Sequence, residues 1–187
     1  PRVFKATRVF HAQSIEMLQQ VDLYFRIMHR FGFISSGIKQ LYGLDAASMR
    51  ISFDYGLSDN TTLGLGRSTF RKELDLFVKQ RILQQATGDK SIPFSVVLAV
   101  GGLVLTEESF ALVKPDFGER SAYYIQIIAG RKFSPSLSLQ LSPIFVHSGS
   151  PLHAGDNQNV LAMGGGIRFK VSKRIALTMD YHHPFSN

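Results

Sequence analysis

The chain of 187 residues contains no cysteine and no tryptophan. The first absence removes disulfides, thiolate nucleophiles and cysteine-based metal sites, and it suits an envelope protein that does without disulfide staples. No segment approaches the roughly 20 consecutive apolar residues of a helical membrane span. The net charge is +7 and the isoelectric point near 9.8, yet no basic run is longer than pairs such as Arg71-Lys72 and Lys173-Arg174. Such spread charge is not a nucleic-acid footprint, so no nucleic-acid partner is expected. A secretory signal is also missing, and the expectation is a chain that starts after processing or inside a longer precursor. Near-zero mean hydropathy is what a lipid-facing barrel shows when every second residue is polar.

What is present is alternation. In Ala47, Met49, Ile51, Phe53, Tyr55 and Leu57 the odd positions are apolar, while Ser48, Arg50, Ser52 and Asp54 fill even ones. A period of two marks a strand with one greasy and one wet face. Ser58-Asp59-Asn60 supplies turn residues, and Thr61–Arg67 forms the returning arm. The same pattern recurs from Val21, Lys72, Phe94, Tyr123, Leu137, Leu161 and Leu177, giving nine strands. Residues 1–20 fit no clean template and are read as either a lumenal plug, over Arg2–Leu18, or a first strand within Pro1–Phe10.

Connections near Asn60, Gln85, Pro135 and Ser172 are short, whereas those over residues 32–45, 105–119 and 148–157 are long. Only the compact connection near Phe70 departs from the alternation. In outer-membrane barrels periplasmic turns stay short and external loops grow. Strands of roughly ten residues match a tilted crossing of the hydrocarbon layer. Aromatics near strand ends, Phe31, Phe33, Phe145 and Tyr181 on the loop side and Tyr55, Phe94, Phe133 and Phe169 on the turn side, suit interfacial girdles, though without tryptophan. The predicted fold is therefore all-β, one antiparallel up-and-down transmembrane β-barrel domain over 1–187. A soluble lipocalin-like barrel with an apolar ligand is the alternative, because it alternates too, with the apolar face inward.

The segments FKATRVFHAQSIEML, DLYFRIMHRFG, SSGIKQLYGLDAASMRISFDYGLSDNTTLGLGRSTF and SPSLSLQLSPIFVH resemble a Bacteroidota family of outer-membrane β-barrel proteins of unassigned function, over essentially the whole chain. The resemblance implies an outer-membrane barrel with further strands after Asn187. An odd strand count points the same way, since an unpaired edge is costly in lipid.

The lumen-facing charged set is Asp22, Arg26, Arg30, Arg50, Asp54, Glu73, Asp75, Lys79, Arg81, Arg168, Lys170 and Asp180. It lines either an anion-favouring pore or a narrow lumen braced by cross-strand ion pairs, and the braced lumen is preferred. Gly64, Gly66, Gly101, Gly164 and Gly166 share that face and would let the N-terminal segment approach the wall. The lipid-facing set is Leu23, Phe25, Ile51, Phe53, Leu63, Leu65, Leu76, Val78, Val96, Leu98, Ile125, Ile127, Leu139, Leu141, Met163, Ile167, Leu177 and Met179.

His11, His29, His147, His153, His182 and His183 show no ligand spacing, so no metal or cofactor is expected. A membrane lipid hydrolase using His147 beside Ser148, or His29, has no G-x-S-x-G support. The reading is a non-enzymatic outer-membrane protein, either a small porin-like channel or the membrane anchor of an envelope assembly. Its partners are the lipid bilayer and envelope proteins docking on the long loops.

Overall fold

The computed structural model describes residues 7–9, 12–32, 35, 37–88, 91–107, 115–149, 157–172 and 174–185. Two short strands, β1 (Arg8–Val9) and β2 (Ala12–Gln13), pair with each other. Nine longer strands follow: β3 (Leu23–Arg30), β4 (Ser48–Ser58), β5 (Thr61–Ser68), β6 (Glu73–Leu83), β7 (Ser95–Leu105), β8 (Ser121–Lys132), β9 (Leu137–Ser148), β10 (Asn159–Lys170) and β11 (Ala176–Pro184). They form one antiparallel sheet in sequence order from β3 to β11. Every strand thus pairs with its chain neighbour, the up-and-down arrangement that alternation and short turns dictate. Residues 1–20 contribute no strand to this sheet among the described residues.

Register follows the hydrophobic pattern. Phe53 of β4 lies opposite Phe25 and Leu65, and Asp54 opposite Tyr24 and Gly64. A slip of one residue would send every apolar side chain to the other face, which is why the pairing is so consistent. Irregularities occur between Gly56 and Ser58 and between Arg81 and Leu83, near the turn ends of the β4–β5 and β6–β7 pairs. Pro143 sits within β9 where the β8–β9 register skips Ser142 and Pro143, in keeping with the donor that proline lacks. On the loop side, 3-10 turns span Ile38–Ala46 between β3 and β4, interrupted where Leu41, Tyr42 and Gly43 take positive φ, and preceded by Gly37 at φ 71°.

The burial pattern is inverted relative to a soluble barrel. Leu23, Phe25, Phe53, Leu65, Leu76, Ile127, Leu141 and Met179 are exposed, whereas Arg50, Ser52, Asp54, Lys79, Gln126, Gln140 and Arg168 are buried. Apolar surface faces out and mainly polar surface in, with Phe77, Val97, Ala99 and Ile128 as inward apolar residues. No helix among the described residues is long and apolar enough to cross a membrane. The edge strands β3 and β11 do not pair with each other in the sheet. The N-terminal segment lies near both: β1 comes within 8 Å of β11, and Arg26 of β3 donates to Thr7 Oγ1 at 2.9 Å.

Candidate functional site

The region that the sheet wraps around is filled by the chain itself. Thr7 and Gln13–Leu18 lie against the concave face, gripped by polar side chains from strands far apart in sequence. The Lys79 ammonium of β6 donates to the carbonyls of Ser14 at 2.7 Å, Glu16 at 2.8 Å and Thr7 at 3.4 Å. Gln140 of β9 clasps the same stretch from the other side. Its Nε2 donates to Gln13 O at 2.9 Å, while its Oε1 accepts from Ile15 N at 3.0 Å. Thr62 Oγ1 of β5 accepts from Leu18 N at 3.3 Å, and Asp59 Oδ1 in the adjoining turn accepts from Gln20 N at 3.0 Å. An irregular segment has no ladder to satisfy its backbone, and buried backbone groups must find partners somewhere. Here wall side chains supply them.

An apolar patch completes the seat. Ile15 and Met17 pack with Val97, Ala99 and Ile128 of β7 and β8, with Tyr124 against the cluster. Close approach is allowed at two glycines. A Cβ on Gly56 would overlap the carbonyl of Gln19, and one on Gly130 would press on the Ile15 side chain at 3.0 Å. Four of the five glycines expected to make that room serve another purpose: Gly64 accommodates the Phe77 ring, Gly66 Arg50 and Asp75, Gly101 the Tyr124 ring, and Gly164 Ser142 and His182. Aromatic side chains of the wall therefore take the space over glycines directly opposite them, Phe77 over Gly64 and Tyr124 over Gly101.

Two ion pairs brace the interior. Arg50, 4% exposed, makes a two-pronged contact with Asp75 in which Nε donates at 2.9 Å and Nη2 also engages the carboxylate. Arg26 Nη2 lies 3.7 Å from Asp54 Oδ2, and Asp54 is 1% exposed. Arg81 donates to Asp59 O at 3.1 Å and Gln84 Oε1 at 3.3 Å. Glu73, Lys170 and Asp180 are half-buried on this face and Arg168 is buried. Asp22 departs from expectation. It precedes β3 in an exposed turn, where its carboxylate accepts from Gln19 N at 3.3 Å, because Val21 at φ 70° turns the chain there before the strand begins. The side chain of Arg30, with residues 33–34, 36, 108–114 and 150–156 of the long loops, lies outside the described residues, as do His11 and His153.

Alternation did not single out Phe77, which is 2% exposed and inward between Leu76 and Val78. Gly64 as its cross-strand partner was the available signal, since an aromatic often covers an opposing glycine. His147 Nδ1 is 2.7 Å from Asn159 Oδ1 and its ring lies 4.9 Å from that of Tyr123. His183 sits between Tyr181 and Phe185. These rings form two aromatic groups toward the loop end of the sheet, one on β8 and β9 and one at the end of β11, at the position expected of an interfacial girdle.

The sequence model of one domain family, described as a membrane bound beta barrel domain (DUF5777), matches residues 4–187. No curated protein and no solved structure matches the chain.

Proposed function

Because the chain belongs to the family of membrane-bound β-barrel domains, whose function is unknown, we propose that it is an outer-membrane protein serving as the membrane anchor of an envelope assembly, with its lumen held shut by its own N-terminal segment. The observation that carries this reading is the Lys79 contact with the carbonyls of Ser14 and Glu16. A lysine stripped of water is costly unless hydrogen-bonded, so a fully buried ammonium directed at backbone carbonyls argues for a permanently docked segment. An open anion pore would need Lys79, Arg50 and Arg26 to face mobile solution. Instead, Lys79 and Arg26 contact the N-terminal segment, and Arg50 is held by Asp75.

Asymmetry supports the orientation: tight turns join β4–β5, β8–β9 and β10–β11 on one rim, and residues 31–47, 106–120 and 149–158 make the longer connections of the other. Two connections depart from it, since residues 84–94 near Gln85 join β6 to β7 by more than the short turn expected there and residues 69–72 join β5 to β6 tightly on the loop rim. In the proposed arrangement the turns face the periplasm and the loops the exterior, where partner proteins would dock. The test is conductance of the reconstituted barrel in a planar bilayer. Silence of the intact chain, with current appearing once residues 1–18 are removed, is expected. Steady current through the intact chain overturns the closed-lumen reading.

A further inference from the structure

The outer face is not uniformly studded with large side chains. Across β8, β9, β10 and β11 one outward row reads Ala129, Leu141, Gly165 and Tyr181, paired in that order. Small residues alternate with large ones. Gly165 leaves a gap between Leu141 and Tyr181, and a Cβ added there meets nothing within 4 Å. The result is a groove of about 590 Å³, lined almost wholly by apolar surface. Three inter-strand steps make it roughly 14 Å long, enough for a good part of an acyl chain.

The groove opens beside the turn end of β8, where Arg131 joins its lining. The Arg131 guanidinium lies 5.0 Å from the centroid of the Phe133 ring, a contact that orients a cation and leaves its N–H donors available. Asp180 also belongs to the lining, but strand alternation with outward Met179 and Tyr181 sends its carboxylate to the concave side. The charge at the mouth is therefore positive.

We propose that this groove is a binding site for one anionic glycerophospholipid of the leaflet on the turn side, with an acyl chain laid over Gly165 and the phosphate held by Arg131. The inference rests on membrane residence, not on the closed lumen or the anchoring role. Burial of hydrocarbon gains nothing in a bilayer, because lipid tails are as apolar as the wall. Two other terms select the lipid. Dispersion contact with a concave surface exceeds that with a flat one, and arginine binds phosphate through charge-assisted, often paired, hydrogen bonds.

The experiment is native mass spectrometry of the full chain in detergent, titrated with phosphatidylglycerol or phosphatidylcholine. Folding of every variant is verified by heat-modifiable migration. The intact chain is expected to retain phosphatidylglycerol in preference to phosphatidylcholine. Gly165→Leu should lower phosphatidylglycerol retention about tenfold, the equivalent of roughly ten close atom contacts. Arg131→Gln should remove the preference between the two lipids while leaving some binding of each. Ala129→Leu fills the same groove from β8 and replaces Gly165→Leu should that variant not fold. Equal retention of the two lipids by the intact chain, or undiminished retention by a folded groove-filling variant, overturns the proposal.

Discussion

Lys79→Met asks how firmly the N-terminal segment is held. Methionine keeps nearly the length of lysine and removes the ammonium, so packing changes little. Lys79 is 1% exposed and its ammonium makes two short bonds to carbonyls. A hydrogen bond to a charged group contributes about 1.5–3 kcal/mol, and a buried carbonyl deprived of its donor costs about 1–3 kcal/mol. Desolvation of the ammonium offsets part of that gain. A net loss of about 2–4 kcal/mol in docking follows, which lowers the ratio of docked to released segment roughly 30- to 700-fold. Release can be read directly, because Glu16 supplies one of the carbonyls that Lys79 holds. A glutamyl endopeptidase should cut after Glu16 in the folded variant far faster than in the native barrel. Single-channel recordings of the variant should show intermittent openings. A folded Lys79→Met barrel whose Glu16–Met17 bond is as protected as the native one, and which stays silent, would refute the reasoning from charge to plug.

Three further outcomes are expected. Arg50→Gln should destabilise the barrel by about 2–4 kcal/mol in urea unfolding, because it strips Asp75 of its buried partner; Arg50→Gln with Asp75→Asn should recover part of that loss, and additivity of the two changes would deny the coupling. Gly56→Val should cost about 1–3 kcal/mol, since the obstacle is the Gln19 backbone and not a flexible side chain, whereas Gly165→Ala, with open space around it, should leave the unfolding midpoint within error. Leu76→Arg should cost about 2–4 kcal/mol in lipid, where the outer face meets hydrocarbon, but almost nothing if that face meets water; refolding yields into vesicles separate the two.

The nine-stranded sheet was legible because alternation runs through most of each strand, as in Met49 to Leu57, where burial follows the same beat, and inward Phe77, Val97 and Ile128 interrupt it only locally. Alternation assigns faces but not neighbours within a face. Gly64 and Gly101 were read as room for a plug, while register places Phe77 and Tyr124 opposite them and the rings take the space. The N-terminal segment was legible only as an exception. Its backbone is satisfied by Gln140, 125 residues from Ile15, and no local period encodes a partner so remote. The Gly165 groove was hidden for a related reason. Glycine reads as polar filler in a strand, and its meaning appears only when Leu141 and Tyr181 are set on either side.

The clasp between Gln140 and the Gln13–Ile15 backbone also constrains the order of events during folding. The segment precedes the entire wall in the chain, but its seat is incomplete until β9 has joined the sheet. Contacts of such long sequence separation are slow to form, because the loop entropy must be lost before they stabilise anything. The segment therefore reaches its full seat only after β9 has paired, and sealing of the interior cannot precede that step.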